Sequence, residues 1–197
     1  GPRNTYMTSL VLRGLNTVKS SPLPDSTRDI LNQILVKVIA DTKETIHDTV
    51  YNWDIQAEYL NSIRQLSPEL DIQKQIDTLY MKVDSLSIHG LCQLGHILYA
   101  SNQKKKQPFS HKLIYEEKYQ SVHKLILDLG DEGKTQAWWP SNSQEYWYKN
   151  DIETTAEVLY YLLLTDSANP LINKGIIYLM QNQKDHKWSS TKTTAKV

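Results

Sequence analysis

Apolar residues recur at three- and four-residue spacing along nearly the whole chain, and no segment alternates convincingly with period two. A strand needs alternation to put its side chains on two faces, so this periodicity restricts the fold to helices packed on helices. Prolines and cap residues cut the pattern into lengths. The spacing predicts an opening helix over about Asn4 to Lys19, with Leu12, Leu15 and Val18 on one side. Pro22 and Pro24 break it, and Asp25 or Ser26 caps a second helix carrying Ile30, Ile34, Leu35, Val38 and Ile39. A third covers about Asn52 to Leu66 (Ile55, Tyr59, Leu60, Ile63) and is stopped by Ser67-Pro68. The fourth spans about Leu70 to Asp84, with Ile72, Ile76, Leu79, Tyr80 and Val83. A fifth, Ser87 to Ala100, is apolar on most sides and is expected to be buried. After Lys104-Lys105-Lys106, read as a solvated loop, a sixth runs from about Ser110 to Leu129 and Gly130 ends it. Asn150 and Glu153 form a capping box for a seventh reaching about Thr165. Asn169-Pro170 opens an eighth to about Gln183, and Ser190 starts a ninth.

The odd-numbered predicted helices begin alike: TSLVL at Thr8, QAEYL at Gln56, HGLCQL more loosely at His89, TAEVL at Thr155 and TAKV at Thr194. These starts lie 48, 33, 66 and 39 residues apart, which is a loose repeat of helical hairpins rather than a strict array. Small residues at the odd starts suit close approach, and the even helices are more regularly amphipathic with charged outer faces. The expected arrangement is odd helices inside and even helices outside.

A chain of 197 residues is long enough for one sizeable domain and short for two, and a single domain over 1–197 is expected. Its 22 basic and 22 acidic residues balance, so no global field steers it toward nucleic acid or an anionic membrane. Apolar runs of only a few residues exclude a bilayer-spanning helix, and direct membrane insertion is not expected. One cysteine excludes an internal disulfide. No signal peptide is visible, but the chain opens on Gly1-Pro2-Arg3 immediately before a helical pattern and stops at Val197 inside the first turn of another. It is therefore read as a fragment truncated at both ends, with Gly1-Pro2 either native or a cloning remnant.

The carboxy-terminal third carries a resemblance. Trp139 and an aromatic loop lead into Glu153-Thr154-Thr155-Ala156; Tyr178-Leu179-Met180-Gln181-Asn182-Gln183 follows, and then Trp188-Ser189-Ser190-Thr191-Lys192-Thr193-Thr194-Ala195. This order resembles the α/α-toroid of the alpha-2-macroglobulin and complement family, the thioester-containing domain in members that keep the thioester. The match is good over roughly the last sixty residues and loose elsewhere, where NTYMTSLVLRGL and SIHGLCQLGHILYA look like inner helices. The WYKNDIETTA stretch looks closer to bacterial members than to animal ones. The resemblance implies an all-α fold, an incomplete ring of about four to five hairpins out of the six of a full toroid. It also implies a secreted or periplasmic parent that traps proteases after a bait region is cut, with neighbouring domains of its own chain and proteases as partners. Triterpene cyclases and prenyltransferases share the toroid. However, Asp128-Leu129-Gly130-Asp131-Glu132 does not match the acid cluster of the former, and no Asp, Cys and His set matches the zinc ligands of the latter.

Cys92 lies mid-helix in Gly90-Leu91-Cys92-Gln93-Leu94 without the CGEQ-like turn that a thioester needs, so it is not a thioester cysteine. His89, Cys92 and His96 share one helical face and are geometrically able to meet a metal, but no fourth ligand nominates itself and a core role is expected instead. Asp151 and Glu153 read as first-turn carboxylates favoured by the helix dipole, not as an acid–base pair set across a cleft. No Ser-His-Asp or phosphate-loop pattern is present, and no cofactor or metal is expected. Three of the five tryptophans fall within Trp138 to Trp147. Trp138, Trp139, Trp147 and Tyr148 are expected to close the end of the helical assembly, leaving a possible interaction surface, and Trp188 to do the same one hairpin later. The function expected is thus a non-catalytic structural and interaction module. The alternatives are a carbohydrate-active toroid using the aromatic loop as its platform, with two carboxylates facing across a deep cleft, and a helical scaffold binding a peptide.

Overall fold

The computed structural model describes residues 24–45, 52–68, 70–103, 109–141 and 150–183, together with 11, 12, 14, 15, 17, 18 and 22. The described residues are overwhelmingly helical, as the periodicity requires, and the chain falls into two compact units, Gly1–Ser85 and Leu86–Val197.

In the first unit, the described positions between 11 and 18 are helical and Leu12 is fully buried. Helix α1 (Asp25–Thr45) packs against α2 (Trp53–Leu66), and α2 against α3 (Gln73–Tyr80). Asn52 starts α2 with its side-chain oxygen accepting from the Ile55 amide at 3.1 Å, which satisfies one of the donors a helix leaves open at its beginning. Tyr59, Leu60 and Ile63 are buried as expected. Ile30 and Ile34 of α1 are exposed, and Leu31 beside them is buried. One expectation needs correction. The predicted helix from Leu70 to Asp84 is an α-helix only over Gln73–Tyr80, followed by a 3-10 turn at Val83–Ser85. The side chain of Asp71 accepts from the Gln73 amide at 3.1 Å, turning the chain just before the helix begins.

The second unit consists of α4 (Ile88–Asn102), α5 (Phe109–Asp128), α6 (Asp151–Thr165) and α7 (Leu171–Gln181). Helix α4 packs against both α5 and α6, and α6 packs against α7, so two successive hairpins lie side by side through their first helices. Burial follows that order: α4 buries ten of its residues and α6 eight, against three in α7. On α5 the buried stripe Tyr115, Tyr119, Val122 and Ile126 has the helical repeat. Charged outer faces were expected for the second helices, but α7 instead exposes Ile176, Ile177 and Met180.

Close approach of helices is built on missing side chains. A Cβ placed at Gly95 of α4 would lie 2.6 Å from Cε2 of Tyr161 on α6, and one at Gly175 of α7 would lie 2.6 Å from Cδ2 of Leu159. Between α5 and α6 runs a small hairpin that the period-two search does not reveal. Strands β1 (Asp131–Glu132) and β2 (Ala137–Trp138) pair antiparallel, with Asp131 opposite Trp138 and the Gly133 amide donating to the Gln136 carbonyl at 2.8 Å. Strands of two residues are too short to show alternation. Among the described residues no helix is long and apolar enough to cross a membrane.

Candidate functional site

The aromatic segment begins on β2, and its first two tryptophans are used differently. Trp139 has no exposed surface. Its indole Nε1 donates to the Ile126 carbonyl at 2.8 Å, one of the last-turn carbonyls that α5 cannot satisfy internally. Its backbone amide donates to Thr155 Oγ1 at 3.0 Å, which ties the segment to the first turns of α6. The ring occupies the space beside Gly130, where a Cβ would stand 2.7 Å from the indole. A ring of this size removes about 200 Å² from water, worth about 5 kcal/mol before the entropy of fixing it is counted. Trp138 is half-buried and stacks on Tyr178 of α7, with centroids 5.7 Å apart and planes at 19°. Trp147, Tyr148, Lys104-Lys105-Lys106 and Trp188 lie outside the described residues.

The first turn of α6 is tied to the chain before it at two points. Asp151 accepts from the Ser141 amide at 2.8 Å, and the Glu153 amide donates to the Asn150 side chain at 3.0 Å. Burial, with a smaller contribution from Asp151, raises the pKa of Tyr178 above its ordinary 10.0.

His89 and His96 of α4 make their contacts with α6, and Cys92 lies buried between them in sequence. His89 Nδ1 lies 2.9 Å from Glu157 Oε1, and Gln93 donates to the same oxygen at 2.9 Å. Cys92 is fully buried, and His96 meets the rings of Tyr160 and Tyr161 edge-on at 5.8 and 5.2 Å. Among the described residues no group of three His, Cys, Asp or Glu is placed to hold a metal ion.

At the other end of α6 lies a cleft that no local motif announces. Its fifteen residues make α6 about 22 Å long, so the cleft is far from the tryptophans. It has a volume of about 400 Å³, with Tyr99, Asn102 and Gln103 from α4, Glu116, Tyr119, Gln120 and His123 from α5, and Thr165 and Asp166 from the end of α6. Asn102 Nδ2 donates to Glu116, and Gln120 donates to the other Glu116 oxygen at 2.7 Å. Asn102 is 9% exposed, and its Oδ1 has no hydrogen-bond partner.

His123 joins α5 to both Tyr161 and Asp166. Its Nε2 is 3.5 Å from Asp166 Oδ2 and its Nδ1 is 3.0 Å from the Tyr161 hydroxyl. With the imidazole neutral and Nε2–H turned to the acceptor-only carboxylate, Nδ1 accepts a hydrogen bond from the Tyr161 hydroxyl; this tautomer is assigned from the partners. Burial lowers the pKa of His123 below 6.5, and Asp166 opposes the shift. Burial likewise raises Tyr119 and, more strongly, Tyr161 above the ordinary phenol value. All three groups are therefore held in their neutral forms near pH 7, which is suited to hydrogen bonding and not to nucleophilic attack.

No protein-family model matches the chain, and no curated protein matches it.

Proposed function

We propose that the chain is a non-catalytic structural and interaction module, an arc of α/α-toroid hairpins from a macroglobulin-like protein whose implied work is protease trapping. One observation carries the reading. In the repeat register that sets Thr155 against His89, Tyr160, Leu163 and Leu164 of α6 correspond to Leu94, Ile97 and Leu98 of α4. The α4 residues are fully buried, whereas the α6 residues are 60%, 53% and 51% exposed. A face buried in one repeat and bare in the next is where a further hairpin of the same stack seats, since each repeat covers its neighbour. The burial of Trp139 supports the same reading, because the ring serves as a strut and has no surface to offer a sugar. The carbohydrate alternative asks for two free carboxylates across a cleft. Glu116 and Asp166 do line one, but amide side chains already hold both: Asn102 and Gln120 hold Glu116, and Asn169 holds Asp166 at 2.8 Å.

In this reading the parent works in the extracellular or periplasmic space, with proteases and its own neighbouring domains as partners. The test is the parent protein's response to limited proteolysis, followed by sedimentation velocity and by retention of the added protease. The expected result is a more compact particle that carries the protease with it. A parent that neither retains protease nor changes its sedimentation refutes the proposal.

A further inference from the structure

The cleft at the carboxyl ends of α4 and α6 lies apart from the docking face, though Asn102–Glu116 and Tyr99–Tyr119 at its wall also join α4 to α5. Two tyrosines line it, Tyr99 and Tyr119, with ring centroids 5.4 Å apart and planes tilted at 52°, and it holds two carboxylates, Glu116 and Asp166, with no Lys or Arg among the described residues of its lining. Asn102 supplies the independent sign of a ligand. Its Nδ2 must face Glu116, because an ionised carboxylate only accepts, and this leaves Oδ1 as an acceptor buried without a donor.

We propose that this cleft binds an organic cation, an alkylammonium group presented as a free amine or as the side chain of a lysine in a peptide. An ammonium carries three donors and no acceptor, the complement of the Asn102 oxygen that is left without a donor. Tyrosine faces attract a cation through the negative face of the ring. Two carboxylates disfavour an anion, and a neutral polyol would leave them without a counter-charge. A bare metal ion is served worse, since the described residues gather no set of three metal-ligating side chains. His123 faces Asp166 as a neutral donor, since burial lowers its pKa, and so brings no positive charge to the cleft. A volume of about 400 Å³ falls within the span of small-molecule sites, about 300–1,000 Å³. The inference stands on the cleft alone and survives loss of the macroglobulin reading.

The experiment is a titration of the chain, followed by amide chemical shifts, with pentylamine, with a capped tripeptide containing one lysine, and with pentanol and pentanoate as neutral and anionic counterparts. The amine and the lysine peptide are expected to give saturable shifts at Tyr99, Asn102 and Tyr119; the alcohol and the carboxylate are not. Tighter binding of the amine assigns a free-amine ligand, and tighter binding of the peptide assigns a protein one. Glu116→Gln keeps an acceptor for Asn102 while removing the charge, and should weaken binding about fivefold, whereas Glu117→Gln on the exposed side of α5 should change nothing. Should the Glu116 variant fail to fold, salt decides with the unaltered chain, because added sodium chloride must weaken the amine's binding. Absence of saturation by about 10 mM, equal binding of pentanol, or indifference to salt would each overturn the proposal.

Discussion

Gly95→Ala is the substitution for which local and tertiary preferences conflict most directly. In an isolated helix the change stabilises by about 1 kcal/mol. Here the new methyl would stand 2.6 Å from Tyr161 Cε2 and 3.0 Å from its Cζ and Oη, where ordinary carbon contacts need about 3.5–4.0 Å. The ring must therefore retreat by about 1 Å. It has nowhere to go: Tyr161 is fully buried, its hydroxyl is bonded to His123 at 3.0 Å, and the His96 and His123 rings flank it at 5.2 and 5.7 Å. Overpacking costs about 1–3 kcal/mol and a weakened buried hydrogen bond about 1 kcal/mol more, so the net loss is about 1–3 kcal/mol. Gly14 provides the control, since it is helical and a Cβ there meets nothing within 4 Å. Gly14→Ala should therefore stabilise by up to about 1 kcal/mol. Urea denaturation followed by circular dichroism reads both. Tyr161→Leu, added to Gly95→Ala, should cost less than the sum of the two single changes. A Gly95→Ala chain as stable as the parent, with unchanged urea dependence, would falsify the argument that helix spacing at this crossing is set by the glycine.

Trp139→Phe keeps an aromatic ring but strands the Ile126 carbonyl, and should cost about 2–3 kcal/mol by urea midpoint, with loss of near-ultraviolet dichroism. His123 gives a pH dependence whose sign is fixed. Its folded pKa lies below the ordinary 6.5, so the unfolded chain takes the proton first; stability is complete above that value and declines as pH falls through it. Urea midpoints between about pH 7.5 and 5 should show the decline, and His123→Gln should remove this portion of it. The repeat register predicts a contrast between equivalent positions: Leu94→Ala should cost about 2–5 kcal/mol, and Leu163→Ala less than about 1 kcal/mol. Equal costs at both would show that α4 and α6 do not present the same face. Asn150→Ala should lower stability by about 1 kcal/mol through loss of the bond to the Glu153 amide, checked by thermal melting.

The helices were legible wherever the chain states its own boundaries. Asn150 caps its helix through the side-chain bond expected of it, Asn52 and Ser87, read only as helix starts, cap theirs as well, and Gly130 and Pro68 follow helix ends as expected, whereas Asp25 and Ser26, read as a cap, lie inside their helix. The predicted helix from Leu70 was too long because Ile72 and Val83 continue the apolar spacing through turns, and spacing cannot register that the backbone has left the helix. At Asn169-Pro170 the capping bond is present, from the Leu171 amide to the Asn169 side chain at 3.0 Å, but the regular helix begins at Leu171. Trp139 was visible as an aromatic residue, whereas its task depends on Gly130, Ile126 and Thr155, which are distant in sequence or individually ordinary. The cleft was not legible at all. Its residues come from 99–103, 116–123 and 165–166, and each segment alone reads as part of an ordinary helix. The available signal was His123, a polar residue next to Val122 on the buried stripe of α5, and scattered histidines gave no reason to single it out.

Three glycines in the second unit are filled by a neighbour's side chain: Gly95 by Tyr161, Gly130 by Trp139 and Gly175 by Leu159. Each couple shares one volume, so its members are not free to drift independently as sequences diverge. A descendant with alanine at 95 should carry something narrower than tyrosine at 161, and one that loses the indole at 139 is released from glycine at 130. These couples, more than any run of adjacent letters, are where relatives of this chain should record its architecture.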